Sequence, residues 1–293
     1  MKIDIHSHLM SVAFLEHLRG RDAVPTAVRD GTGYIAHCAP GLSLPYRPPI
    51  LSVEAKLADM DMAGIDLAVL SHGLPGPHML GGAQADNWAA RINDELAAIA
   101  AAHPGRFAGW ANLGFGDLSR TIAEADRCLD QLGLAGFQVW SNVGGRPLDD
   151  PGVLPVLEHL ADRGAAIHLH PAPASGHQGL APATMLGFAF PVDTSLAVLR
   201  LIGAELGVAV FQRRSPVADG VDVQPVQVLA GRMLFGTDHP YATPRLPQDL
   251  TERLPYTQTE SEQILAGNAQ RLLRLGRIEV DATSKSTHAP SGG

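Results

Sequence analysis

The stretch RFAGWANLGFGDLSRTIAEADRCLDQLGLAGFQVWSNVGGRPLDDPGVLPVLEHLADRGAAIHLHP (106–171) contains three apolar runs separated by two segments with helical spacing. The apolar runs predict strands and the intervening segments predict helices. The predicted strands are 106–113, 135–142 and 165–171, and the predicted helices are 119–133 and 154–164. Strands that are joined through helices run parallel, so this stretch predicts an α/β fold.

The same alternation continues on both sides of this stretch. Further predicted strands are 2–9, 66–72 and 231–240, and further predicted helices are 51–65, 86–103, 194–206 and 261–275. A chain of this length and pattern predicts one (β/α)8 TIM-barrel-like domain over residues 1–276. Residues 277–293 are polar and rich in Gly, Pro and Ser, which predicts a disordered tail.

Composition argues against several classes of function. The chain has 293 residues, 45% of them hydrophobic, and carries 22 basic and 30 acidic side chains for a net charge of −8. No cluster of Lys or Arg is present to bind phosphates, so no nucleic-acid partner is expected. Cys38 and Cys128 are isolated, which argues against a disulfide framework. Without a signal-peptide pattern or an apolar run of membrane-spanning length, we expect a cytoplasmic protein with no membrane partner.

Two histidines one residue apart end the first predicted strand, in IHSH. Side chains alternate faces along a strand, so His6 and His8 point to the same side. His170 ends the strand in IHLHP and Asp238 ends the strand in LFGTDHP, whereas His239 should point away and pack. The carboxyl ends of the strands form the active-site face of an α/β barrel. Three imidazole nitrogens and a carboxylate at this face predict a site for zinc or a similar divalent ion.

Other polar residues near the predicted strand ends have two or three interpretations each. His168 lies one layer below the rim, as a packed core histidine, a group behind the ligands or a ligand. Arg47, in a long loop predicted at 9–50, either binds a substrate carboxylate or forms a surface salt bridge. His72 and His78 lie near the end of the second predicted strand and either face the mouth of the barrel or pack in the core.

Seven motifs together resemble those of one enzyme family. They are IDIHSH, RINDELAAIAAAHPGRFAGWANL, SNVGGRPLDDP, IHLHP, FPVDTSLAVLR, LFGTDHPY and ILAGNAQRLL, and they span most of residues 1–206 and 226–275. The sequence resembles the amidohydrolase-2 family, a branch of the metal-dependent barrel hydrolases. This branch includes aminocarboxymuconate-semialdehyde decarboxylase and the resorcylate and carboxyvanillate decarboxylases.

The resemblance implies one metal ion, zinc or alternatively manganese, at the positions that match His6, His8, His170 and Asp238. It implies non-oxidative removal of a carboxyl group from a small aromatic or unsaturated acid. Hydrolysis of an ester, lactone or amide is the alternative. In either reaction the metal would polarise a substrate oxygen or activate water, while the aspartate moves a proton. The expected partner is therefore a small carboxylic acid.

The chain departs from the family pattern between His170 and Asp238. Family members carry a strand that ends in His-Gly-Gly or His-Ala-Gly and supplies a catalytic histidine. This chain reads GVAVFQRRSPVADGVDVQP (207–225), with no histidine from 178 to 238. The interval is too short for two strands and three helices, so the barrel is predicted to be incomplete or distorted between residues 207 and 230. GVAVFQ then forms one strand, and an uncovered edge favours a homodimer.

Three hypotheses account for the missing histidine. The protein is an enzyme that uses Asp238 alone or recruits His168, His72 or His177, or it is a metal-binding protein without activity, or it is a truncated product that has lost activity. We favour the enzyme, because the residues that would bind the metal are intact.

Overall fold

The computed structural model describes residues 1–204, 206, 212–213, 231–241 and 256–275. The predicted tail at 277–293 and most of the predicted gap at 207–230 lie outside the described residues. Within them the fold is α/β, as the alternation of apolar runs and helical segments predicts.

The strands and helices are numbered in chain order. The strands are β1 (Ile3–His8), β2 (Thr26–Asp30), β3 (Gly33–Ala39), β4 (Leu42–Tyr46), β5 (Leu67–Ser71), β6 (Phe107–Ala111), β7 (Gly136–Trp140), β8 (Ile167–His170), β9 (Gln212–Arg213) and β10 (Met233–Leu234). The helices are α1 (Val12–Leu18), α2 (Val53–Ala63), α3 (Gly82–Ala102), α4 (Leu118–Asp130), α5 (Leu154–Asp162), α6 (Pro182–Thr184), α7 (Phe190–Gly203), α8 (Gln258–Glu262) and α9 (Asn268–Leu272). Short 3-10 turns precede α3 and α6, and π-helical turns join α6 to α7 and α8 to α9.

Five parallel strands form the central sheet, in the spatial order β1, β5, β6, β7, β8. Each consecutive pair is parallel, and a helix crosses over between its strands. The sheet is buried on both faces: Ala68 and Leu70 pack in the core on the helix side, and Leu67 and Val69 in a second core with Trp110. Strands covered on both faces read as continuous apolar runs, which is why the sequence located all five.

Local capping residues explain the helix boundaries that the sequence predicted well. Ser52 caps α2 by accepting a hydrogen bond from the backbone N–H of Ala55, at 3.2 Å. Asp117 caps α4 in the same way, accepting from the N–H of Arg120 at 2.9 Å. Two other helical segments begin earlier than predicted, α3 at Gly82 and the α6–α7 segment at Pro182. Their first turns contain Gly and Pro, which sequence reasoning assigns to loops.

The prediction of a long loop at 9–50 is wrong. This region contains α1 and a three-stranded antiparallel sheet in the order β2, β3, β4. Tight turns at Gly31 and Gly41, both with positive φ, connect the strands. The strands escaped detection because β2 carries two charged residues in five and β4 contains a proline, so neither shows a clean alternation of apolar and polar residues.

The segment around β10 lies along the other edge of β1 and is hydrogen-bonded to it. Backbone N–H groups of β1 residues Ile5 and His8 donate to the carbonyl oxygens of Phe235 and His239, at 3.0 and 2.8 Å. The N–H of Asp238 donates in return to the carbonyl oxygen of His6, at 2.8 Å. β10 itself pairs in parallel with β9, whose first residue ends the predicted strand GVAVFQ. Of the strand predicted at 231–240, only Met233–Leu234 is a regular strand. Residues 235–239 are irregular but are hydrogen-bonded to β1.

The helical stretch Met185–Gly203 corrects the expectation that no apolar run reaches membrane-spanning length. Among the described residues, this stretch is long and apolar enough to cross a membrane, judged by length and composition alone. Its mean hydropathy is 1.5, and 22% of it is buried. It carries Asp193, which pairs with His177 at 2.6 Å, and Arg200, which pairs with Asp149 at 3.0 Å. The sequence reading missed it because it began the helix at residue 194.

We expect Gly136→Ala to destabilise the sheet by about 3 kcal/mol. Gly136 begins β7 with φ 155°, and a Cβ there would lie 2.4 Å from the carbonyl oxygen of Ala166. Urea denaturation of the variant should show a lower midpoint. Gly20→Ala is the control, since no heavy atom lies within 4 Å of its Cβ position. Equal midpoints for the two variants would contradict the close approach of β7 and β8.

Candidate metal centre

β1 presents His6 and His8 on the same side, as strand alternation predicts. Their Nε2 atoms lie 2.9 Å apart, and both side chains are buried. A nitrogen–nitrogen contact of this length needs a lone pair on at least one ring. The strand end therefore presents an unprotonated imidazole nitrogen in a buried position.

Asp238 and His170 both lie close to His6 and His8. Oδ1 of Asp238 lies 3.3 Å from Nε2 of His6 and 3.2 Å from Nε2 of His8. The potential ligand atoms of His6, His8 and His170 all lie within 4.8 Å of one another. The four residues that the sequence singled out are thus brought together at the carboxyl ends of β1, β8 and the segment after β10.

Hydrogen bonds on the far side of two rings favour the tautomers that a metal needs. Nδ1 of His170 lies 2.8 Å from the carbonyl oxygen of Pro171, so Nδ1 must carry the hydrogen and donate it. Nδ1 of His8 lies 3.0 Å from Oγ of Ser71, which can accept. In each neutral ring Nε2 is then left with its lone pair directed away from the backbone, which is the state of a ligand.

The donor set fits a divalent transition metal. Ligands at about 2.0–2.1 Å from a tetrahedral zinc ion lie about 3.3 Å from each other. The 2.9–3.3 Å separations among His6, His8 and Asp238 are close to that value. Nitrogen and oxygen donors of this kind also suit manganese, so the geometry accepts either ion.

Asp238 is the most accessible member of the group. Its side chain is 31% exposed, whereas that of His8 is 1% exposed. Its backbone has φ 63°, a value that non-glycine residues rarely adopt and that here turns the carboxylate towards the histidines. The turn is held by the N–H of Tyr241, which donates to the carbonyl oxygen of Asp238 at 2.8 Å. A small molecule at this site would therefore reach the carboxylate first.

His168 lies beneath the group rather than in it. Its ring stacks on Trp110, with centroids 5.3 Å apart, and meets the ring of His6 edge-on at 4.5 Å. Trp110 is itself fixed, because its Nε1 donates to the carbonyl oxygen of Ile5 at 2.8 Å. His168 thus supports the ring of His6 from below, in the deeper layer that its place in β8 predicts.

Arg47 is engaged elsewhere. Its guanidinium forms an ion pair with Asp30, and its Nη1 donates to the carbonyl oxygen of Tyr46 at 3.1 Å. Both residues belong to the antiparallel sheet region, and the Arg47 side chain is 46% exposed. This contact is the surface salt bridge that the sequence left as the alternative to substrate binding.

His72 and His78 are buried and neutral. Burial lowers the pKa of each imidazole to about 3. Nδ1 of His72 donates to the carbonyl oxygen of Gly73 at 3.0 Å, and its ring packs against Phe14 beneath α1. The ring of His78 lies against Trp140, with centroids 4.9 Å apart. Among the described residues, Nδ1 of His78 has no hydrogen-bond partner.

Sequence reasoning missed a buried charged network behind the group. Lys56 of α2 is 0% exposed and reaches His239, which points away from Asp238 as predicted. Burial lowers the pKa of Lys56 to about 7, against the opposing effect of Asp4 and Asp59. No pattern in the sequence signals this contact, because a lysine within a helix normally lies on its solvent-exposed face.

Comparison with known proteins agrees with this fold. A family described as amidohydrolase matches residues 3–221, about three quarters of the chain, and the protein therefore belongs to it. The chain is 32% identical over 166 residues to 2-amino-3-carboxymuconate-6-semialdehyde decarboxylase of Dictyostelium discoideum. That match covers 55% of this chain and 44% of the relative, so the chain spans less than half the length of this curated relative.

Two solved structures share the fold over nearly the whole chain. One is 5-carboxyvanillate decarboxylase from Sphingomonas paucimobilis, with a TM-score of 0.75, 20% identity, and coverage of 94% of this chain and 99% of that one. The other is dihydroxybenzoic acid decarboxylase from Polaromonas sp. JS666 with bound manganese and 2-nitroresorcinol, with a TM-score of 0.69, 21% identity, and coverage of 94% and 97%. These likenesses confirm the predicted barrel-type fold.

We expect His78→Phe to stabilise the protein more at pH 5 than at pH 7.5. The free energy of unfolding of the variant minus that of wild type should be about 2 kcal/mol larger at pH 5. The imidazole stays neutral in the folded protein down to a pKa of about 3, whereas it takes up a proton near pH 6.5 once unfolded. Wild-type protein therefore loses stability as pH falls below 6.5, and phenylalanine, which cannot titrate, removes this loss.

The measurement is urea denaturation of both proteins with EDTA present, so that the metal-binding residues contribute equally. Phenylalanine keeps the contact with Trp140. A pH-independent difference between the two proteins would contradict a neutral, buried His78.

Proposed function

We propose that the protein is a metal-dependent, non-oxidative decarboxylase of a small aromatic or unsaturated carboxylic acid. The observation that carries this proposal is the convergence of His6, His8, His170 and Asp238 at the carboxyl ends of the barrel strands. A cluster of three imidazoles and a carboxylate is costly to bury, and binding a cation compensates for that cost. The active-site face of a barrel is where such a cation serves catalysis.

The names of the similar proteins support the reaction class. Family membership alone leaves decarboxylation and hydrolysis open, since the family is described as amidohydrolase. The curated relative and both structures reported above are decarboxylases, acting on an unsaturated or an aromatic acid by their names. We therefore favour loss of carbon dioxide over hydrolysis of an ester, lactone or amide.

The four residues would hold one divalent ion, which supplies positive charge to polarise a substrate oxygen. Zinc suits three nitrogens and one oxygen, and the manganese bound in the Polaromonas structure supports that ion as the alternative. The chain's own residues fix the tautomers: Pro171 and Ser71 engage Nδ1 of His170 and His8, so that each Nε2 stays available.

Proton transfer is assigned to Asp238. Its side chain is 31% exposed, whereas the histidines beside it are buried, so it is the group that a substrate carbon can approach. In decarboxylation the aspartate would first take up a proton from the substrate or from water and then give it to the carbon that loses the carboxyl group as carbon dioxide. His168 is the second residue in the proposal, and it acts by holding the ring of His6. Arg47 is left out because Asp30 already pairs with it, and His72 because it packs beneath α1.

The cellular setting and assembly remain sequence-based predictions. Cys38 and Cys128 are buried free thiols, which supports a reducing, cytoplasmic location. A homodimer would cover the edge of the sheet beside β8, for which the described residues provide no further strand.

We expect about one equivalent of zinc or manganese per chain in protein purified without a histidine tag. The double variant His6→Ala, His8→Ala should lose it, because two of the four donors are removed. Plasma mass spectrometry measures the metal content. The matched control is His103→Ala, His159→Ala, since both histidines lie near helix ends that precede a strand, at the opposite end of the barrel. Equal metal in both double variants would rule out the proposed site.

We expect release of carbon dioxide from hydroxybenzoate-type acids, reduced by about 100-fold or more in Asp238→Asn. The variant keeps the size of the side chain but cannot donate a carboxylic acid proton. Carbon dioxide release and metal content are measured together, so that loss of metal is distinguished from loss of proton transfer. Turnover of lactones or esters without carbon dioxide would assign the protein to hydrolysis. No turnover by wild type across this panel would support a binding protein.

A further inference from the structure

Lys56 lies between the two chain segments that carry the proposed metal ligands. Its side chain is 0% exposed, although lysine is rarely buried completely. One neighbour is Ser7, the residue between His6 and His8 on β1. The other is His239, the residue after Asp238. This buried lysine thus bridges the two segments through residues that are adjacent in sequence to the proposed ligands.

The side chain of Lys56 has three hydrogen-bond acceptors around it, one for each N–H of an ammonium group. Nζ lies 3.1 Å from Oγ of Ser7, 2.7 Å from Nδ1 of His239 and 3.2 Å from the carbonyl oxygen of His239. An ammonium group has three N–H donors, and three acceptors surround it. All three N–H groups of a protonated Lys56 therefore have an acceptor, which offsets part of the cost of burying the side chain.

The ring of His239 is held from both sides by one face of α2. Because Nδ1 accepts from Lys56, Nε2 carries the hydrogen and donates it to Oδ2 of Asp59 at 3.0 Å. Lys56 and Asp59 are three residues apart, so they lie on the same face of the helix. The helix therefore fixes both the position and the tautomer of the residue that follows Asp238.

A buried carboxylate close to Lys56, that of Asp4, completes the network. Asp4 accepts hydrogen bonds from the N–H and the hydroxyl of Thr237, at 2.9 and 2.6 Å, and from the N–H of His6 at 3.1 Å. Thr237 precedes Asp238, so this residue also connects β1 to the aspartate segment. Backbone pairing provides three bonds there, between Ile5 and Phe235, His6 and Asp238, and His8 and His239.

We propose that Lys56 is a positioning residue that holds Asp238 in register with His6 and His8, so that the metal-binding group is formed before the metal arrives. The inference rests on the proposed metal centre and names a part of it that lies outside the ligands. The aspartate segment needs this support because β10 is only two residues long, whereas His170 lies in a strand paired along four residues. Holding ligands in place in advance lowers the cost of binding.

The test compares metal affinity in three variants. Lys56→Met keeps the aliphatic stem and removes the ammonium group. Asp59→Ala, at a partly exposed position on α2, releases the ring of His239 without opening a buried cavity. Leu160→Ala is the control: this side chain is 0% exposed near the end of α5, at the opposite end of the barrel, so it lowers stability without touching the network.

Zinc affinity is measured by competition with a chromophoric chelator, and the absorption spectrum of the cobalt-loaded protein reports the geometry of the ligands. We expect Lys56→Met to weaken zinc binding by about 10- to 100-fold and to change the cobalt spectrum. Asp59→Ala should weaken binding by about 3-fold or more, as a more distant member of the same network. Leu160→Ala should lower the melting temperature of the metal-free protein and leave affinity and spectrum unchanged.

Wild-type affinity and spectrum in a folded Lys56→Met protein would overturn the inference while leaving the metal centre intact. If Lys56→Met does not fold, Asp59→Ala decides, and unchanged zinc binding in that variant overturns the inference as well. Absence of zinc binding in wild type and Leu160→Ala alike would instead remove the proposed metal centre, and this inference with it. If Leu160→Ala loses as much zinc affinity as Lys56→Met, the loss follows from lower stability alone, and the inference is overturned.

Discussion

The pairing of β1 on both of its edges is the constraint on which the rest of the structure depends. One edge bonds to β5 and the other to the segment from Phe235 to His239. Residues near the two ends of the chain thereby become neighbours, and Asp238 comes within 3.3 Å of His6. The strand is buried on both faces, so a slip of one residue would turn its histidines towards the wrong side. Register and site are set by the same hydrogen bonds.

Burying polar groups around β1 requires each of them to be compensated. Lys56 bonds to His239 and His239 bonds to Asp59, while Asp4, bonded to Thr237, adds a nearby opposite charge. The histidines on the other side of the strand are compensated differently, because their Nε2 atoms face one another and a carboxylate. The first arrangement is complete within the protein, whereas the second suits a cation. This difference separates the supporting network from the proposed metal site.

Within the described residues β10 is a strand of only two residues, yet Asp238 after it lies beside the histidines of β1. β9 and β10 pair through two residues each, so β9 contributes little to holding the aspartate segment. Backbone hydrogen bonds with β1 hold this segment, and Lys56 and Asp4 add side-chain hydrogen bonds to the residues on either side of Asp238.

The sequence by itself determined the parallel strands, most helices and the four residues of the candidate site. These features depend on local burial and on the alternation of side chains along a strand, which leave a periodic pattern in the chain. Only the tertiary structure decided the antiparallel sheet at β2–β4, the engagement of Arg47 by Asp30, and the burial of Lys56 against His239. Lys56 and His239 are 183 positions apart, and periodicity reports whether a side chain is buried but not which distant residue it meets.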